Sequence, residues 1–123
     1  MDGRGSFRVP RIDQVVDCGV AINPDRVRSQ MEGAAVMGVG LARTGEITAA
    51  NGRIVQSNFD RFQVARMTDA PYQVNVHFVE SGALPTGVGE PGLPPVIAAL
   101  GNALYAATGK RARELPLSKM KWT

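Results

Sequence analysis

A chain of 123 residues, 44% hydrophobic and 20% charged, is one domain's worth of globular protein and carries no low-complexity tract. Its net charge of +3 comes from scattered arginines, with a small cluster at Lys110, Arg111 and Arg113 and no interleaved aromatic residues, which excludes a nucleic-acid footprint. The single cysteine, Cys18, excludes an internal disulfide, a CxxC metal clip and an iron–sulfur ligand set, and no apolar run approaches the ~18 residues of a membrane helix.

The opening "MDGRGSFRVPR" lacks the apolar segment of a secretory signal. Its Gly-rich start reads as an internal cut or an appended sequence, and residues 1–6 are expected to be disordered or appended. From Phe7 to Ala21 the chain reads as extended, with Ile12, Val15, Val16 and Val20 apolar and Pro10 suited to a strand start. A helix is predicted from Pro24 to about Arg43. Asn23 serves as its N-cap, Pro24 suits the first helical position, and Asp25 complements the positive helix end. Val27, Met31, Ala34, Gly38 and Leu41 recur at steps of three and four and form its expected buried stripe. The small residues of "GAAVMGVGLA" predict close packing on several sides.

Asn51-Gly52, between Glu46–Ala50 and Arg53–Ser57, is a strong hairpin signal. In "YQVNVHFVE", Tyr72, Val74, Val76 and Phe78 alternate with Gln73, Asn75 and His77, the pattern of a half-buried strand. A second helix is predicted over Pro94 to Thr108, opened by prolines and closed by Gly109 as a left-handed cap. It is apolar almost all round, which suits burial in something larger than this chain. Arg113 to Ser118 is expected to form a final short strand. The predicted class is α+β, with two main helices packed on a small mixed β-sheet in one domain spanning 1–123.

Gly87 to Gly92, within "TGVGEPGLPP", spells GxGxxG. A dinucleotide fingerprint needs its first glycine immediately after a strand, and here it lies well beyond one. Pro91 removes a backbone donor, and Glu90 sets a negative charge where pyrophosphate would lie. A nucleotide site is therefore rejected. His77 is the only histidine and reads as a surface residue, since no second histidine or cysteine completes a ligand set. Gln30 lies within or beside the apolar stripe of the first helix. Its amide must find partners or lose roughly 1–3 kcal/mol, either on neighbouring backbone or on a polar ligand. Glu90 has two readings as well. It is a turn carboxylate just ahead of a helix N-terminus, or a base held on a stiff support by Pro91, with glycines that let a reactant approach.

Taken together, "VVDCGVAINPDRVRSQMEGAAVMGVGLA", "GEIT", "QSNFDRF", "GVGEPGLPPVIAALGNALYAATGKR" and "LPLSK" resemble the molybdenum-hydroxylase family. That family includes xanthine dehydrogenase and aldehyde oxidase, and the likeness is greatest to the large (β) subunit of isoquinoline 1-oxidoreductase. The motifs keep family order from about Val15 to Ser118, and the pairing of "NPxxxxxQxEG" with "GEPGxPP" is specific. The resemblance implies hydroxylation of N-heterocycles or oxidation of aldehydes, with water as oxygen source and a molybdenum–molybdopterin cofactor in its cytosine dinucleotide form. It implies that Glu90, in GEPG, is the general base and that Gln30, in QxEG, helps hold the pterin, with Gly89 beside it as a cofactor contact. No residue of this chain is implied as a metal ligand.

Family subunits run to several hundred residues, and this chain matches only their C-terminal end. The expectation is a C-terminal segment of the molybdopterin-binding subunit, inactive alone. Its partners would be the rest of that subunit and an iron–sulfur small subunit, with self-association through the apolar helix as a further expectation. The rival expectation is a non-catalytic scaffold or subunit-interface module that retains the family sequence. The compartment stays open between bacterial cytoplasm and periplasm.

Overall fold

A computed structural model describes residues 6–122. The expectation for residues 1–6 falls, for residues 1–5, outside the described residues. Strand β1 (Arg11–Val16) leads through Asn23 into helix α1 (Pro24–Thr44), followed by strands β2 (Ala49–Ala50) and β3 (Arg53–Ile54). Strand β4 (Gln73–Phe78), helix α2 (Leu93–Thr108) and a 3-10 turn at Leu117–Lys119 complete the order. The class is α+β, as the sequence predicts. Parallel and antiparallel pairing both occur, in two separate two-stranded sheets: β1 runs parallel to β4, and β2 pairs antiparallel with β3.

Local chemistry accounts for the helix ends. The Asn23 side-chain oxygen accepts the Arg26 backbone N–H at 3.1 Å, satisfying a donor that the first turn of α1 leaves unpaired. Gly109 closes α2 at φ 73, donating its N–H to Tyr105 O at 2.7 Å. Asn51 (φ 51) and Gly52 (φ 74) both take positive φ, as a tight hairpin turn requires, although the strands it joins are shorter than predicted. The expected final strand over 113–118 does not form. Leu115-Pro116 is a cis peptide, and beyond it the chain turns inward so that Leu117 is buried.

The buried stripe of α1 is broader than predicted and partly displaced. Val27, Met31 and Gly38 are buried as expected, but Ala35, Val39 and Ala42 take the places given to Ala34 and Leu41, which are half-buried. The cause is that α1 packs on two bodies at once. Ala35 and Val39 meet Val96 of α2 together with Ile12 and Val74 of the parallel pair. Val27 and Met31 pack with Val16, Cys18 and Val76 nearer the helix start. At Gly38 the absent side chain matters, because a Cβ there would lie 3.0 Å from Val96 Cβ.

A third cluster of Phe7, Ala42, Leu100, Leu104, Leu117 and Trp122 seals the other end, where the Trp122 indole donates to Leu117 O at 3.1 Å. Helix α2 buries only Val96, Leu100 and Leu104, so much of its alanine-rich remainder, including Ala99, Ala103 and Ala106, stays exposed. No helix among the described residues is long and apolar enough to cross a membrane.

Candidate functional site

Parallel pairing of β1 and β4 brings the two following segments out side by side. Val79 N–H donates to Val16 O at 2.9 Å, Val20 N–H to Ala83 O at 3.0 Å, and Thr86 N–H to Cys18 O at 3.0 Å. The Asp17 carboxylate reinforces this seam by accepting from Ser81 Oγ at 2.7 Å and from Gly19 N–H at 3.0 Å. Those bonds, Ser81 first, lower its pKa from the usual carboxylate value. The loop from Thr86 to Gly92 thus starts from a fixed base.

The loop then docks on the first half of α1. Val88 is half-buried against the cluster that contains Met31. Gly92 is buried, and a Cβ on it would lie 2.9 Å from Ala34 Cβ and 3.0 Å from Met31 Sδ. A side chain has no room there, which explains the glycine. Leu93 N–H donates to Glu90 O at 3.2 Å and closes the turn from Glu90 to Leu93 that starts α2.

Gln30 sits one helical turn before Ala34 and is exposed, not within the buried stripe. Its Nε2 lies 3.9 Å from the position a Cβ would take on Gly89. Neither reading of Gln30 as bonded to neighbouring backbone nor any other hydrogen bond is realised among the described residues, so the amide is free on the loop side of α1. Glu90 is exposed, and its carboxylate likewise has no hydrogen-bond or ion-pair partner among them. Around the Cβ position of Gly87 no atom lies within 4 Å, and Gln30 is the sole neighbour at Gly89. Gln30 and Gly89, far apart in sequence, are therefore brought together, with the unpartnered Glu90 next along the loop and open space at Gly87.

Gln14 escapes a reading by motif. It is 8% exposed, its Nε2 donates to Gly92 O at 3.1 Å, and its Oε1 is buried without a partner. The available signal was its phase, because Ile12, Gln14 and Val16 share the inward face of β1. Gln14 also borders a cavity of about 580 Å³ walled chiefly by Ile12, Val96, Ala99, Leu100 and the underside of the loop at Val88. Glu90, Gly89 and Gln30 lie outside this cavity.

His77 is a surface residue, with Nε2 at 3.7 Å from Asp13 Oδ1 on the outward face of β1 and β4. No group of three or more His, Cys, Asp or Glu among the described residues is arranged to hold a metal ion.

Comparison with known proteins bears on what this arrangement serves. The chain is 35% identical over 113 residues to the membrane-bound aldehyde dehydrogenase [pyrroloquinoline-quinone] of Gluconacetobacter polyoxogenes, covering 92% of this chain and 14% of that protein. It is 36% identical over 112 residues to isoquinoline 1-oxidoreductase subunit beta of Brevundimonas diminuta, covering 91% and 14%. Among solved structures, quinoline 2-oxidoreductase from Pseudomonas putida 86 shares the fold at a TM-score of 0.79, with 22% identity over 94% of this chain and 16% of that one. The chain thus spans about one-seventh of the length of the curated relatives it matches. Residues 2–71, which include Gln30, match the molybdopterin cofactor-binding domain, and the chain belongs to that family.

Proposed function

We propose that this chain is the C-terminal segment of the molybdopterin-binding subunit of a molybdenum-dependent hydroxylase, in which Glu90 is the general base and Gln30 with the Gly89 backbone holds the pterin. The observation that carries the reading is the approach of the free Gln30 amide to the Gly89 backbone, next in the chain to the exposed and unpartnered Glu90. The residues fit a pterin, whose edge is rich in hydrogen-bonding groups. The Gln30 amide can donate and accept at once, and the bare backbone at Gly87 and Gly89 permits close approach.

When bound, the molybdenum cofactor, taken here in its cytosine dinucleotide form, supplies the two-electron oxidant and a water-derived oxygen. The chain's own part is narrower. Glu90 would take up a proton at its carboxylate when an electron-poor carbon of an N-heterocycle or aldehyde is hydroxylated. Pro91 and the turn bond from Leu93 hold the carboxylate's backbone in place, so little reorganisation accompanies proton uptake. The chain's single cysteine cannot ligate an iron–sulfur cluster, and such clusters would be held on a partner subunit. The exposed alanine face of α2 is covered by the remainder of the large subunit, and the isolated chain does not turn over substrate.

Glu90→Gln in the full-length enzyme tests the reading. Turnover should fall by about a hundredfold or more while molybdenum and pterin contents stay at wild-type levels. Near-wild-type turnover would remove Glu90 as the base. Because one relative is named for pyrroloquinoline quinone, the same preparation is assayed for that quinone. Quinone in place of molybdenum would overturn the cofactor assignment.

A further inference from the structure

On β1 the inward positions run Ile12, Gln14 and Val16, and a glutamine is out of place among them. Its Oε1 is buried with no donor, an arrangement that is destabilising on its own account. An aliphatic residue would suit this face and the adjoining cavity better. The value of Gln14 must therefore lie in its other amide atom, and Nε2 donates to Gly92 O at 3.1 Å across 78 positions of sequence.

Gly92 stands two residues after Glu90, with Pro91 between them, in the turn closed by the Leu93 N–H to Glu90 O bond. Proline fixes one of the few torsions linking the two. Gly92 also packs closely on Met31 and Ala34, whose contact is apolar and sets distance but not direction. A hydrogen bond to the Gly92 carbonyl sets direction as well. We propose that Gln14 is a positioning residue, which orients the Gly92 peptide from β1 and so aims Glu90 at the reacting centre. The inference rests on the reading of Glu90 as base, and its test separates the two.

The test is Gln14→Leu in the full-length enzyme, which removes both amide atoms and keeps most of the side-chain bulk. Amide hydrogen exchange over residues 88–93 should rise about fivefold, the effect of one lost hydrogen bond, while exchange in β1 and β4 stays unchanged. The melting temperature should hold or rise, since the orphan acceptor has gone. kcat should fall about tenfold with KM unaltered, as expected for a displaced reacting group. A residue that merely supports the fold would behave differently: exchange would rise throughout and melting temperature would drop with it. That outcome, or wild-type exchange at 88–93, overturns the proposal, as does unaltered kcat where Glu90→Gln is inactive. If Gln14→Leu does not accumulate, Gln14→Met, unbranched like glutamine, decides the same points. If Glu90→Gln keeps its turnover, the base reading fails, and the exchange data still decide whether Gln14 orients the turn.

Discussion

Asp13 stands at the middle of the outward face of the parallel pair, where Arg11, Asn75 and His77 converge on one carboxylate. Arg11 donates through Nε at 2.7 Å and Nη2 at 2.8 Å, and Asn75 Nδ2 donates at 2.8 Å. The Arg11 bond first, and then Asn75, hold the Asp13 pKa down to about 2 from 3.8. A carboxylate whose folded value is depressed stabilises the fold above its unfolded value, and that contribution is lost as pH falls through the folded one. Asp13→Asn should therefore flatten the dependence of the urea midpoint on pH between about 4 and about 2, and added salt should reduce the difference because the group is exposed. Identical acid profiles for the two proteins would contradict this. Gln30 differs in kind, since its amide makes no hydrogen bond among the described residues. On the proposed function, Gln30→Ala should weaken pterin retention about two- to tenfold with little change in melting temperature. Unchanged molybdenum content after gel filtration of the full-length variant would refute that role.

At the scale of elements, legibility followed the range of the physics involved. Asn23, Pro24 and the Gly109 cap act within a few residues, and both helices stand close to where those signals put them. Alternation likewise marked Gln73–Phe78 as a strand, because a period of two is local. Its partner was not legible, since nothing in "RIDQVV" states that its neighbour lies some sixty residues away. The inward phase of α1 was half right for the same reason. Val27 and Met31 follow from spacing alone, whereas Ala35 and Val39 depend on where α2 and the parallel pair approach. Within the candidate site, the resemblance marked Gln30, Gly89 and Glu90, and the free state of their polar groups needed coordinates. Gln14 had no motif to announce it, and its partner is a carbonyl rather than a side chain.

The whole molecule is tied at two ends by different means. One end holds the loop of Glu90 on α1 and β1. The other gathers Phe7, Ala42, Leu100, Leu104, Leu117 and Trp122, joining the start of the described chain to its finish. Leu117 is 1% exposed, and its position after a turn of chain rather than in a strand leaves no neighbouring ladder to compensate for its loss. Leu117→Ala should cost about 2–5 kcal/mol, read as a lower denaturant midpoint at unchanged slope. A loss below about 0.5 kcal/mol would mean that this end contributes little to the fold. Trp122 is the chain's only tryptophan, and its indole is clamped on Leu117 O inside that same cluster. Nature has thus built one optical reporter into the protein, and it watches the cluster that joins the start of the described chain to its finish. Red-shifted indole emission registers the parting of the chain's two ends, and an event confined to the Glu90 loop leaves it silent.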